Sequence, residues 1–208
     1  VQPVAEITDV EPVHEVGVLG HGGAAEGNEI AERAHALGGA GGEQGDRLRI
    51  ARDRQQRDLL LIQHRHGLGA ADAPVVLTVW TDYQCPICGA WANGAEPSLY
   101  ERYITEGKLR IEHRHYSFIG EESFTTAVGA ECAADQDLFW DFHSYIFANQ
   151  SGENEGAFSA ERLRKIAEAV GVDLTAWDSC IADPAVRAGV EADAAEAKSL
   201  GITGTPTL

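Results

Sequence analysis

Two cysteines separated by two residues, in Cys85-Pro86-Ile87-Cys88, follow closely on the apolar run Pro74-Val75-Val76-Leu77-Thr78-Val79-Trp80 and precede a segment that reads as a helix over residues 89–106. That order constrains the fold more than any other feature, because it asks for a strand that hands a C-x-x-C motif to a helix N-terminus. The unpaired N–H groups and the positive end of the helix dipole lie there, and they favour an anion on the first sulfur over the second. Cys85 is therefore expected to be a nucleophile and Cys88 its resolving thiol. Pro86 suits the first helical turn, where a missing N–H costs nothing.

The β-branched run over residues 74–80 reads as a buried parallel strand. Leu99, Tyr103 and Ile104 continue the helix at helical spacing, and Leu109-Arg110-Ile111-Glu112-His113-Arg114-His115-Tyr116 alternates as a second strand. Strand, helix, strand makes a βαβ unit with a right-handed crossover. Helical segments follow over residues 123–135 and 136–148, the latter with Leu138, Phe139, Phe142, Tyr145 and Ile146 on one face. Others are expected from the N-cap Ser159 to Val170, stopped by Gly171, and then over residues 173–181 and 184–200. Roughly eighty residues of helix exceed what a crossover requires, which predicts a helical subdomain inserted at about residues 119–198. Thr205-Pro206 closes the chain after a glycine-containing turn. X-Pro bonds are cis about one time in twenty, so composition alone leaves the isomer open.

All fifteen aromatic residues, four cysteines and three lysines lie after residue 70, whereas residues 1–70 hold twelve of the twenty-three glycines. Without aromatics, residues 1–66 cannot bury enough apolar surface to offset chain entropy alone. This Gly- and Arg-rich stretch reads either as a flexible or loosely docked extension or as no natural coding segment; residues 67–208 carry the core. The net charge of −17 is dispersed. It makes nucleic acid and anionic lipid poor partners and reads first as a soluble acidic surface. No run reaches the roughly 18 apolar residues of a membrane span, and no signal peptide or stable membrane insertion is visible. The chain contains no methionine, so its natural N-terminus can lie elsewhere.

From about Gly67 to Leu208 the chain resembles the DsbA-like family of thiol:disulfide oxidoreductases. The matching stretches are Asp72-Ala73-Pro74-Val75, Thr81-Asp82-Tyr83-Gln84-Cys85-Pro86-Ile87-Cys88, Phe118-Ile119-Gly120-Glu121-Glu122-Ser123, Glu131-Cys132-Ala133 through Phe139-Trp140-Asp141-Phe142-His143, and Gly201-Ile202-Thr203-Gly204-Thr205-Pro206-Thr207. The resemblance implies an α/β fold of thioredoxin type interrupted by an all-helical insertion. It also implies an extracytoplasmic setting, the periplasm or cell envelope, and exchange of disulfides with protein substrates and with a redox partner that restores the pair. No cofactor is implied, because the dithiol carries the electrons. Pro206 would be a cis-proline facing Cys85 and Cys88, with Thr205, Pro86 and Ile87 meeting substrate. Strongly oxidising members often carry histidine where Ile87 stands, so a less oxidising couple is expected. The sequence stops two residues past Pro206. Either it is a fragment or its fold lacks the C-terminal strand and helix.

Other readings of the same residues stand beside this one. Cys85 and Cys88 could be half a zinc site, but zinc needs four ligands. Cys132 and Cys180 are singletons, and His113 and His115 share one strand face without further ligand-like company, so no metal is expected. Cys132 and Cys180 are either free buried thiols or a second disulfide across the helices. His113, His115 and His143 are expected to satisfy local hydrogen bonds or face solvent. Glu112 and Glu131 read as surface charges, and Trp80, Tyr83 and Trp91 as packing. In function, the alternatives to an enzyme are a non-catalytic thioredoxin-like binding or sensor module attached to a membrane protein and, less favoured, a zinc-binding structural module.

Overall fold

The computed structural model describes residues 66–208, and the expected extension at residues 1–66 lies outside them but for its last residue, His66. Strands β1 (Gly67–Leu68), β2 (Val75–Thr81) and β3 (Leu109–His115) form one sheet in the order β1-β3-β2. β2 runs parallel to β3 from Val75 opposite Leu109 to Thr81 opposite His115, and β1 is antiparallel to β3. β1 was not anticipated, since two residues give no readable period. On β3 the alternation works as expected: Leu109, Ile111, His113 and His115 point into the core and the residues between them do not. β2 corrects the expectation of a buried strand, because Val75 and Val76 are 55% and 56% exposed. β2 is an edge of the three-stranded sheet, and apolar packing spares its start: Leu77 is partly buried against the main core, and full burial comes only at Val79 on one face and Trp80 on the other.

The helix after β2 starts at Cys85 as N-cap and runs without interruption through α1 (Pro86–Ala90), a π turn (Trp91–Ala95), α2 (Glu96–Leu99) and a second π turn (Tyr100–Ile104). Pro97 explains the first widening. It has no N–H to give, and its ring would collide with the carbonyl one turn back. Five helices follow β3: α3 (Glu121–Ala134), α4 (Phe139–Ala148), α5 (Ala160–Val170), α6 (Leu174–Ile181) and α7 (Pro184–Ser199). α4 begins three residues later than the sequence suggests, since Asp137 takes φ 58° in the turn before it. Gly171 ends α5 in the left-handed region at φ 91°, where only glycine sits without strain. Asp173 and Asp183 cap α6 and α7 with their carboxylates, whereas Ser159 stands at the N-cap of α5 without a side-chain bond.

The main core joins the inner face of β3 to α3, α4 and α5 through Ile111, Ala130, Phe139, Phe142, Phe158 and Ile166. A second small cluster packs Trp80 and Tyr116 on Ala194 and Ala197 of α7. Trp80 and Tyr83 are buried and Trp91 packs on the core, the packing roles expected of them. Among the described residues no helix is long and apolar enough to cross a membrane.

Candidate active site

Cys85 occupies the N-cap of α1, and the next turn closes with Gly89 N–H donating to the Cys85 carbonyl at 3.1 Å. Both Cys85 and Cys88 are free thiols and both are buried, Cys88 completely. Pro86 and Ile87 between them are exposed, so the motif turns its central pair outward and its sulfurs inward. Burial pushes the Cys88 thiol up to about 12, against weaker opposing contributions from the Thr205 side chain and the Asp82 backbone. At neutral pH Cys88 therefore holds its proton.

The other wall comes from the end of the chain. The Thr205-Pro206 bond is cis, Thr207 exchanges backbone hydrogen bonds with Trp80 at 2.9 and 3.1 Å, and Cys85 Sγ–H donates to the Thr205 carbonyl at 3.4 Å. Residues 120 positions apart thus meet across the sulfur. Thr205 and Pro206 are half-buried beside it.

Three polar residues that sequence reasoning assigned no role hold the loop between β2 and α1. Asp82 is fully buried. Its Oδ1 accepts from Gln84 N–H (2.8 Å) and the Ser123 hydroxyl (2.6 Å), and its Oδ2 from Phe118 and Ile119 N–H (2.9 and 3.1 Å). Gln150, just past α4, donates Nε2 to the carbonyls of Tyr83 and Cys85, both at 2.9 Å. The Gln84 amide donates to Ser123 Oγ (2.8 Å) and accepts from Asn154 N–H (2.6 Å). The helical region therefore supplies partners that the loop backbone cannot find in a strand or helix. For Asp82 and Gln84 the available signal was polarity immediately before Cys85; for Gln150 there was none.

Cys132 and Cys180 form a disulfide with Cα atoms 5.7 Å apart, joining α3 to α6. The histidines are not at the surface. His113, His115 and His143 are buried around Tyr83 and Phe139, with His113 Nε2 2.7 Å from Thr81 Oγ1 and His143 Nδ1 3.4 Å from the Tyr83 hydroxyl. Burial, reinforced by the neighbouring imidazoles, pushes His113 well below its ordinary range, and burial with the carboxylates of Glu131 and Glu96 nearby pushes the Tyr83 phenol well up. Glu131 corrects its expected surface placement. It is largely buried, and its Oε1 lies 2.9 Å from His66 Nε2 and 3.0 Å from His115 Nε2. Burial alone would raise its pKa, but the two imidazoles outweigh burial and hold it well below the usual carboxylate range. Glu112 is half-buried and pairs with Arg110.

Two thiols at a helix N-terminus, one facing a backbone carbonyl and the other kept protonated, can close and open a disulfide with each other through a mixed disulfide. The comparisons agree with that chemistry. A thioredoxin family model matches residues 62–208. A probable disulfide bond formation protein D of Bacillus anthracis is 29% identical over 148 residues, covering 69% of this chain and 68% of that protein. The crystal structure of oxidised BdbD from Bacillus subtilis superposes with a TM-score of 0.64 at 25% identity, covering 68% of this chain and 78% of that one. A Na(+)/H(+) antiporter NhaA 3 of Salinispora tropica is 31% identical over 147 residues, 69% of this chain and 21% of the antiporter.

Proposed function

The chain belongs to the thioredoxin family and is a DsbA-like thiol:disulfide oxidoreductase, and we propose that its exchange runs through Cys85 as nucleophile and Cys88 as resolving thiol. The observation that carries this assignment is the contact of Cys85 Sγ with the Thr205 carbonyl at the N-cap of α1, while Cys88 stays buried and protonated. We take residues of about 119–198 as a helical insertion in the thioredoxin fold, because α3 to α7 separate β3 from Thr205-Pro206.

Starting from the oxidised pair, a substrate thiolate attacks Cys85 Sγ. A substrate–Cys85 bond forms, the Cys85–Cys88 bond breaks, and Cys88 leaves with the electron pair and takes up a proton. A second substrate thiol gives up its proton and attacks the substrate sulfur of the mixed disulfide, which releases Cys85. The substrate loses two electrons and two protons and the pair gains them, so no cofactor is needed and a second redox partner must reset the pair. The reverse sequence uses the same atoms. Pro86 and Ile87 on one side and Thr205 and Pro206 on the other form the rim that a protein substrate meets. Family membership supports an extracytoplasmic location, the cell envelope.

The test is an insulin-reduction and dithiol-oxidation assay on single variants. Cys85→Ser should lose both activities, and Cys88→Ser should accumulate mixed disulfides with substrate. Full activity in Cys85→Ser overturns the assignment, whereas a wild-type chain with neither activity favours the second reading, a non-catalytic binding or sensor module joined to a membrane protein, which the antiporter match supports.

A further inference from the structure

We propose that His66, His115 and Glu131 form a binding site for a divalent cation of the zinc class, separate from the thiol pair. The three come from different elements: His66 directly precedes β1, His115 ends β3, and Glu131 lies in α3. Their donor atoms all lie within 4.8 Å of one another. Both imidazole Nε2 atoms converge on the same carboxylate oxygen, at 2.9 and 3.0 Å.

The spacing suits a small cation. Donors bound at 2.0–2.1 Å in a tetrahedron stand about 3.3 Å apart, so each Nε2–Oε1 pair would open by a few tenths of an ångström, with all three donors already within 4.8 Å of one another. Two borderline imidazole nitrogens beside one carboxylate favour zinc-like metals over calcium or magnesium, which prefer all-oxygen shells. The hydrogen bond between His115 Nε2 and Glu131 would give way as the metal arrives. For His115 that shift adds no new unsatisfied atom: its Nδ1 is buried without a partner among the described residues, whether it carries the proton or a lone pair.

The fourth position has an opening. His66 and Glu131 line a cavity of about 210 Å³ together with Arg114, Asp193 and the face of α7 at Val186 and Gly189. Arg114 would repel a cation, but its guanidinium is already engaged by Asp193 (3.2 Å) and Glu196 (2.6 Å). Three carboxylates then stand against one fixed positive charge, and water or Asp193 could complete the shell. A bound metal would staple the sheet to α3, so its first effect is on stability.

The experiment uses the full chain, stripped with a chelator and then oxidised, so that Cys85 and Cys88 offer no thiolate. Zinc chloride is titrated by calorimetry, cobalt chloride is followed by its visible d–d absorption, and the thermal midpoint is read with and without zinc. One equivalent should bind, cobalt should give a four-coordinate band, and the midpoint should rise. His66→Gln, at the most accessible of the three ligands, and Glu131→Gln should each weaken that equivalent at least about tenfold, because a ligand is lost. Near-UV circular dichroism checks that each variant is folded, and His66→Gln alone suffices if Glu131→Gln is not. No zinc uptake by the wild-type chain, or unchanged uptake and cobalt spectrum in folded His66→Gln, overturns the site.

Discussion

Gln150 donates its side-chain amide to the carbonyl of Cys85 at 2.9 Å, and the same Nε2 reaches the carbonyl of Tyr83. Together with Gly89 N–H, it fixes the peptide that carries the nucleophilic sulfur. In Gln150→Ala the Tyr83 carbonyl loses its side-chain donor and the Cys85 carbonyl loses one of its two donors, which should cost about 1–2 kcal/mol in urea unfolding. Dithiol oxidation should slow more than several-fold, while Gln150→Glu fails to restore the rate because it cannot donate. Wild-type rates in Gln150→Ala would show that the loop is held without it.

The pH dependence follows from Cys88. Its pKa in the fold is raised from 9.0 to about 12, so its contribution is fully present below about pH 9 and is lost as pH climbs toward about 12. Urea midpoints of the reduced wild-type chain and the reduced Cys88→Ser variant should run parallel up to pH 8. They should diverge above it, with the wild type losing on the order of 2 kcal/mol relative to the variant by pH 11. Tyr83, also raised, titrates in both proteins and cancels. Parallel curves to pH 11 would mean that Cys88 is not held neutral.

These residues also show what the sequence makes legible. The shared face of Leu109, Ile111, His113 and His115 could be read because a period of two places every second residue on one side; that the two histidines are buried with it could not. Cys85 at the N-cap could be read because Pro86 marks the first helical turn. Glu131 could not: inside an alanine-rich helix it carries no local sign of burial, and its partners lie 16 residues away at His115 and farther still at His66. Gln150 sits in a loop without any period, and the start of β2 has an apolar pattern that never states which half of the strand the helices cover.

Ile87 is 65% exposed between the two sulfurs and can neither donate a hydrogen bond nor carry charge. Ile87→His puts a donor beside the reduced thiolate and stabilises it, which makes the pair a stronger oxidant. A shift of roughly 30 mV toward oxidising potential is expected for each tenfold stabilisation, measured by equilibration with glutathione. An unchanged or more reducing potential would show that this position does not set the couple.

Asp82 accepts four hydrogen bonds at a fully buried position, two from side chain and backbone groups around Gln84 and two from the Phe118 and Ile119 amides. In Asp82→Asn one acceptor oxygen becomes an amide that faces donors, leaving at least one N–H unsatisfied. The expected loss is about 1–3 kcal/mol in urea unfolding, with slower exchange because residues 117–119 and the Cys85 loop lose their common anchor. A variant as stable as the wild type would show that the loop backbone finds other partners.

The disulfide between Cys132 and Cys180 closes a sequence separation of 48 residues. Chain-entropy arguments give such a loop about 3–4 kcal/mol through restriction of the unfolded chain. Cys132→Ala with Cys180→Ser removes it without leaving a lone thiol to scramble with Cys85. Cys132 is buried, so alanine keeps that position apolar, whereas the half-exposed Cys180 tolerates a hydroxyl. The double variant should unfold at lower urea by that order of energy and still oxidise dithiols at low temperature, since the bond joins α3 to α6 and contributes no atom to the contact between Cys85 and Thr205. Loss of activity in a variant whose near-UV spectrum is unchanged would make the bond part of the redox path rather than a brace for the helices.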